Sequence, residues 1–449
     1  TVEVPVLQEQ KTCPAADGLE QWVSFSSVLL VSIKMLHLKD KRLLLISHHN
    51  SYRIAPYIKA ARKLGLDVTI ASQGKHSLVT EVAHGMHIDF DDTNSVLNAI
   101  LKENNSMPFA GILSSDDQTV ELAAHAAKVL ALPHNPPQAA LCSSRKDLAR
   151  AELALAGCPV PIHCLLDLSK PLQKQMAGLP WPCVIKPVNM SASRGVIRTN
   201  STAEFITACE HLRPILADTQ DKFEQTHVLI EDYINGIEIA FEGFLQNGRL
   251  ETITIFDKPD PLVGPYFAET IYVTPSALSV ELQQTIKEVI QKACNAYGLV
   301  TGAIHAECRI DDDNKIWILE IASRTIGGDC ARMLDNENFN IEELAILLAI
   351  GQPVEVNMPA QARGVMMIPV RKKGLLKRVE GLLKATKVKH IDKIDIIISE
   401  GHELVPLPEG NQYLGYIFAS AETAEQVTAA IREAYALLKF VTAPVFKII

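Results

Sequence analysis

The sequence lacks a surplus of positive charge. Its 43 lysines and arginines stand against 52 aspartates and glutamates, a formal net charge of −9. That balance excludes a nucleic-acid binder working through a broad basic field. Local basic runs such as RKKGLLKR (371–378) are explained at least as well by a solvated helix face. C-x-x-C pairs are missing too. The nine cysteines are scattered, and Cys158 and Cys164 flank a Pro-rich turn without a zinc-like partner set. Reduced, mostly buried thiols in a cytosolic protein are the expectation, rather than disulfides or zinc. No apolar run reaches a comfortable membrane span. The longest candidate, WVSFSSVLLVSIKMLHL (22–38), is interrupted by Lys34 and His37. Glu3, Glu9, Asp17 and Glu20 precede it, where a signal peptide would need a basic start. The segment is expected to be a helix or strand packing on the body or on a second subunit of a homodimer. No G-x-G-x-x-G follows the first strand-like run, so nothing marks a dinucleotide site. No fixed-period repeat is present.

What remains is a soluble globular pattern. The chain has 449 residues, 47 % apolar and 21 % charged, enough for two to four packed units. From Lys41 onward, buried-strand runs alternate with helical spacing: RLLLISHH (42–49), YRIAPYIKAARKLG (52–65), LDVTIAS (66–72), FAGILSS (109–115) and DQTVELAAHAAKVLAL (117–132). That order predicts a parallel, doubly wound sheet over 41–138, closed by the Pro-rich LPHNPP (132–137). A second region, 139–355, opens with the helix SRKDLARAELALAG (144–157) and continues with strands such as CVIKPV, VLIEDYI, IEIAFEGFL, RLETITIFDK, AIHAECRI and IWILEIAS. It reads as an α+β unit. A third, 356–449, carries strands at 364–370 and 413–421 and a last helix at 423–440, after an N-terminal extension at 1–40.

Three constellations carry chemistry. Glu307 in GAIHAECRI and Glu320 in KIWILE are joined by the turn-rich DDDNK. An antiparallel hairpin would set the two side by side, which is costly unless a cation sits between them. Hard oxygen ligands suit Mg²⁺, whose remaining positions favour phosphate oxygens. The competing reading is an ion pair with Arg309 or Arg324. Lys186 emerges from the apolar VIK as a point charge suited to phosphate, and the following NMSASRG could wrap N–H groups around it, with Gly195 supplying a positive φ. A snorkelling lysine before a surface hairpin is the alternative. Finally, VLIEDYINGIEI (228–239) ends a strand at Glu231 and sets Glu238 beyond the Asn235-Gly236 turn. Backbone groups there could meet a purine edge and a carboxylate could meet ribose hydroxyls. Two solvated acids would look the same.

Taken in order and spacing, Lys146, Lys186, the small-residue loop 189–195, IEDYINGIE and Glu307/Glu320 resemble the ATP-grasp superfamily. EIASRTIGGDCA (320–331) and the 364–440 region resemble its L-amino acid ligase and carnosine synthase branch. The resemblance implies an α/β and α+β multidomain ATP-grasp fold, with a Rossmann-like N-terminal domain, a mobile lid at about 147–234 and a C-terminal α+β ligase domain. It implies ATP with Mg²⁺, or Mn²⁺ as a substitute. By the family pattern, Lys146 and Lys186 hold the α- and β-phosphates, and residues 191–195, including Ser191 and Ser193, close over them. Glu231 and the backbone at Tyr233 and Ile234 meet adenine, and Glu238 meets ribose. Glu307 and Glu320 bind Mg²⁺, Arg324 faces the transferred phosphoryl group, Lys258 adds a γ-phosphate contact, and Gly327 and Gly328 line the reacting carbonyl. Two departures stand out. The family's E-x-N-x-R reads Glu320-x-Ala322-x-Arg324 here, and its E-x-x-H-x-x-P reads Glu269, Tyr272, Pro275. His305, two residues before Glu307, shares that residue's strand face and is either a site residue or a hydrogen-bonded structural histidine.

The activity implied is joining a small carboxylate to an amine, with L-amino acids as the expected substrates. It would run through an acyl phosphate, with Glu269 or His305 assisting the amine in a cytoplasmic enzyme that needs neither nucleic acid nor membrane. The alternatives are a ligase for another carboxylate and a nucleotide-binding protein without turnover.

Overall fold

The computed structural model describes residues 38, 41–49, 51–73, 84–356, 358 and 360–445. Of the apolar segment 22–38, only Leu38 falls within them.

The N-terminal unit is parallel, as the strand–helix alternation predicts. It contains β1 (Arg42–Ile46), α1 (Ile54–Lys63), β2 (Asp67–Ser72), β3 (His84–His87), α2 (Thr93–Ser106), β4 (Phe109–Ser114) and α3 (Val120–Val129). The sheet order is β3-β2-β1-β4. Leu43 to Ile46 are wholly buried, because a central parallel strand is covered on both faces and needs an unbroken apolar run.

Next come α4 (Pro137–Ser144), α5 (Lys146–Leu155), β5 (His163–Asp167), β6 (Cys183–Pro187), β7 (Ile197–Thr199), α6 (Thr202–Leu216) and β8 (His227–Asp232). The four strands form an antiparallel sheet, β5-β8-β6-β7. One face packs Cys183, Ile185, Val228 and Ile230 against Phe205 and Leu212 of α6. Strand period two therefore turns Val184, Lys186 and Glu231 to the other face, which lines a cavity.

The remaining elements are β9 (Ile237–Gln246), β10 (Arg249–Asp257), β11 (Ile271–Thr274), α7 (Val280–Tyr297), β12 (Gly302–Ile310), β13 (Ile316–Ala322), α8 (Ile341–Ala349), β14 (Ala362–Pro369), β15 (Gly374–Glu380), β16 (Ile391–Ile396), β17 (Glu403–Leu404), β18 (Tyr413–Ala421), α9 (Ala424–Leu437) and β19 (Lys439–Ala443). Eight of these strands make one sheet, β13-β12-β9-β10-β11-β14-β18-β16. The C-terminal strands thus extend the central sheet through the β11–β14 pairing, and only β17-β15-β19 form a small sheet of their own. Helix α7 covers one face, with Ile286 and Ile290 against Phe241 and Ile304. Helix α8 reaches back to the N-terminal unit, where Ala345 and Ile346 share a core with Leu43 and Ile58. A Cβ on Gly111 would lie 2.7 Å from the Ala349 carbonyl oxygen, so glycine there lets the helix end seat on β4. The eight described cysteines are free thiols, all but Cys164 buried. Among the described residues no helix is long and apolar enough to cross a membrane.

Candidate active site

A cavity of about 1160 Å³ opens where the three larger sheets meet. Fifteen of the seventeen predicted site residues line it. The two exceptions are Gly195 and Lys258, which lie behind its wall.

The β12–β13 hairpin forms as its turn chemistry predicts. Asp311 accepts hydrogen bonds from the Lys315 amide (2.9 Å) and the Trp317 indole (2.8 Å), which fixes the register. Glu307 and Glu320 become direct cross-strand partners, on one face. Neither engages Arg309 or Arg324. Arg309 instead binds Glu238 (2.9 Å) and the Ile234 carbonyl (2.7 Å). Arg324 grips Asp117 of the N-terminal unit through two hydrogen bonds of 2.6 and 2.7 Å.

Glu307 meets Lys258 Nζ at 3.0 Å. The same ammonium meets Glu238 at 2.8 Å and Glu269 at 2.6 Å. Lys258, expected at a γ-phosphate, is thus caged by carboxylates and shielded from the cavity. Burial would lower its pKa, but the three acids outweigh burial and hold it well above the ordinary lysine range. Oxygens of Glu238, Glu269 and Glu307 lie within 4.8 Å of one another, so the tightest carboxylate cluster differs from the predicted Glu307/Glu320 pair. Burial and the charge on Glu307 push the Glu269 carboxyl up to about 7. Burial would also raise Glu307, but Lys258 and a hydrogen bond from Glu269 hold it below the carboxylate range. Tyr272, in the place of the family histidine, donates to Glu269 at 2.5 Å. The Glu238/Glu269/Glu307 cluster is already neutralised by Lys258, whereas Glu307 and Glu320, paired across the hairpin, offer hard oxygens of the kind that fit Mg²⁺. Ala322 brings no oxygen and is buried.

On the opposite wall, Lys186 Nζ meets Glu231 at 2.5 Å, and Arg150 Nε meets the other oxygen of that carboxylate at 2.5 Å. Arg150 also bonds the Leu319 carbonyl. The carboxylate of Glu231, expected at adenine, is therefore committed to two cations. Burial would raise its pKa, but the cations bring it down to about 2. For Lys186, burial dominates and lowers the pKa. Lys146, at the start of α5, donates to the Met190 carbonyl (2.7 Å) and faces Glu320 at 3.3 Å. The expected adenine edge is partly occupied as well, since the Tyr233 amide donates to Pro182 at 3.1 Å. Val184, Leu262, Phe267 and Leu319 provide apolar lining.

The 189–195 loop bends through left-handed conformations at Ala192 (φ 55°), Ser193 (φ 56°) and Gly195 (φ 73°). Ser191 and Ser193 face the cavity. The Gly195 amide, expected to face phosphate, donates to the Pro408 carbonyl at 2.9 Å, and Arg194 Nε donates to the Glu409 carbonyl at 3.0 Å. The loop is latched to the C-terminal region.

His305 makes the hydrogen bond expected of a structural histidine and also lies at the cavity. Its Nδ1 is 2.9 Å from the fully buried Glu242, and the residue still lines the cavity. Glu242 also accepts the Ile326 amide at 3.0 Å, tying His305 to the glycine loop. Gly327 and Gly328 line the cavity, but the Gly328 amide donates to Tyr52 Oη at 2.8 Å and is not free.

Arg150, Asp117, Glu242 and Arg53 escape a reading of the sequence. Arg150 alone left a signal, because it lies four residues after Lys146 on one helix face. The others come from distant segments.

Comparison with known proteins concerns the fold as a whole. Residues 179–333 match the ATP-grasp domain model, 58–134 the ATP-grasp N-terminal domain and 366–443 the L-amino acid ligase C-terminal domain 2. Carnosine synthase 1 of Mus musculus is 23 % identical over 357 residues, 74 % of this chain and 42 % of that protein. The alanine–anticapsin ligase of Bacillus amyloliquefaciens is 26 % identical over 257 residues, 54 % of each. The chain thus spans about half the length of these two relatives. The crystal structure of an L-amino acid ligase from Bacillus licheniformis superposes with a TM-score of 0.74 at 22 % identity, covering 90 % of this chain and 99 % of that one. The chain belongs to the ATP-grasp superfamily and carries the C-terminal domain of the L-amino acid ligases.

Proposed function

We propose that the protein is an ATP- and Mg²⁺-dependent ligase that joins two amino acids, releasing ADP and phosphate. The observation that carries this reading is the convergence of Glu307 and Glu320 with Lys146, Lys186 and Arg324 on one cavity. The choice of amino acids as substrates is supported by the names of the relatives, an alanine–anticapsin ligase and an L-amino acid ligase among them.

The chemistry balances in two steps. A carboxylate oxygen of the first substrate attacks the γ-phosphorus of ATP, and the bond to ADP breaks. The amine of the second substrate attacks the acyl carbon, the C–O bond to phosphate breaks, and the amine proton passes to a base. Glu307 and Glu320 would hold Mg²⁺, with Glu238 and Glu269 close by. When bound, the metal supplies charge neutralisation on the phosphate oxygens. Lys146 and Lys186 act as fixed point charges for the same phosphates. For Lys186 this needs no new strand geometry, because Glu231, itself paired with Arg150, already holds its ammonium at the cavity wall. Arg324, braced by Asp117, faces the transferring group. Glu269 is the better base. Its carboxyl titrates near neutrality, where a general base works best. The 191–195 loop, held by Pro408 and Glu409, keeps water from the acyl phosphate.

The test is to incubate the protein with ATP, Mg²⁺ and pooled L-amino acids while measuring phosphate and dipeptides. Amino-acid-dependent phosphate release with matching dipeptide is expected. Phosphate release indifferent to added amino acids would refute the reading.

A further inference from the structure

We infer that Arg53 is the positioning residue that aims the Gly327 amide of the glycine loop at the reacting carbonyl. The inference rests on the ligase reading and concerns a residue from outside the ATP-grasp domain, at the start of α1.

Arg53 is a poor candidate for a surface cation. It is 9 % exposed, and burying a guanidinium is costly unless every donor has a partner. Its partners are all on or beside one loop. Nη1 donates to the Thr325 carbonyl at 3.2 Å and to Thr325 Oγ1 at 3.0 Å. Nη2 donates to the Ile326 carbonyl at 3.1 Å. Nε donates to Tyr52 Oη at 3.2 Å. That tyrosine oxygen in turn accepts the Gly328 amide.

These bonds fix three successive peptide planes. In a trans peptide the C=O and the next N–H point in opposite directions. The Thr325–Ile326 plane has its carbonyl on Arg53 and its N–H on Glu242. The Ile326–Gly327 plane has its carbonyl on Arg53 as well, so the Gly327 N–H points away from the guanidinium. It meets no acceptor among the described residues, and Gly327 lines the cavity. The Gly327–Gly328 plane donates its amide to Tyr52 and accepts from the Cys330 amide at 3.2 Å. One donor is left over. Arg324 stands beside it, since its Nη1 shares the Thr325 carbonyl at 3.0 Å. A preorganised amide next to a guanidinium is suited to an oxyanion developing on the acyl carbon. Arg53 touches no reacting atom. It acts through the orientation of the Ile326–Gly327 plane.

The test compares Arg53→Ala, Arg53→Lys and wild type in the amino-acid-dependent assay, with the KM for ATP and the melting temperature measured alongside. Arg53→Ala is expected to lower kcat by about 10²-fold, the scale of losing one oxyanion donor, while the KM for ATP stays within about twofold, since neither lysine nor the base slot is touched. Added methylguanidine should restore part of the lost kcat. Arg53→Lys keeps the charge but cannot reach both carbonyls with a planar fork, and should lose about tenfold in kcat on the same argument. If Arg53→Ala does not fold, Arg53→Lys decides the matter. The inference is overturned if a folded variant keeps wild-type kcat, or if kcat and ATP affinity fall together without guanidine rescue. If the wild type shows no amino-acid-dependent turnover, the ligase reading itself has failed, a result distinguishable from either.

Discussion

Glu307 and Glu320 sit directly opposite each other across one hairpin, yet they hold different cations. Glu307 binds Lys258 at 3.0 Å and Glu320 binds Lys146 at 3.3 Å. Two adjacent carboxylates are tolerated because each has its own ammonium. The two lysines therefore neutralise the carboxylates that Mg²⁺ would otherwise balance.

Removing one half of that pair should cost activity more than stability. Glu320→Ala frees Lys146 and deletes a hard ligand. The expected loss in amino-acid-dependent phosphate release is on the order of 10²-fold or more. Titrating Mg²⁺ against Glu320→Ala and Glu320→Asp checks it, with the aspartate variant recovering part of the activity at raised Mg²⁺. Full activity in Glu320→Ala would remove it from the metal site.

Activity should rise with pH through about 7, the value to which the Glu269 carboxyl is pushed. The limb belongs to the Glu269/Glu307 pair rather than to one residue. Glu269→Gln should abolish the limb and lower kcat by about 10²–10⁴-fold, the contribution of a general base. Tyr272→Phe removes a donor to the charged carboxylate and should move the limb upward. For stability the sign is opposite. A carboxyl raised in the folded state binds its proton more tightly there, so its contribution is lost as pH rises from about 4.5 to about 7.

Glu231 should matter to the fold before it matters to ATP. Glu231→Gln leaves Arg150 and Lys186 buried without their anion, and breaking such a pair costs about 3–5 kcal/mol. Chemical denaturation measures it. The Glu231 carboxyl is held at about 2 against an ordinary 4.5. It therefore stabilises the fold above pH 4.5, and that stability is lost as pH falls toward 2. The acid-induced loss of stability in that window should shrink in Glu231→Gln.

Ser193 and Gly195 should separate cleanly. A Cβ at Gly195 would lie 2.7 Å from Pro187 Cγ and 2.9 Å from Leu212 Cδ2, at φ 73°. Gly195→Ala should destabilise by about 1–3 kcal/mol and loosen the latch to Pro408, raising phosphate release that is not matched by dipeptide. Ser193→Ala should keep stability and change only the KM for ATP. Equal effects of both on stability would contradict the packing role of Gly195.

The chemistry-bearing residues were legible because their spacing is local. Strand period two put Lys186 on the face opposite Ile185, a five-residue turn set Glu307 against Glu320, and a continuous apolar run announced β1 as a buried parallel strand. None of this needs contacts beyond a single strand, turn or hairpin. The partners of those residues were not legible. Lys258 looked available for phosphate, but β9, β12 and the segment just before β11 close three carboxylates around it. Glu231 looked free for a base, but α5 brings Arg150 to it. Gly328 looked like an open amide, but Tyr52 from the N-terminal unit takes it. Sequence alone determined which charges and turns the site contains, because local geometry follows from neighbouring residues. Tertiary structure alone decided which groups are paired and which remain open, because a buried charge or amide is satisfied by whatever distant segment the packing delivers.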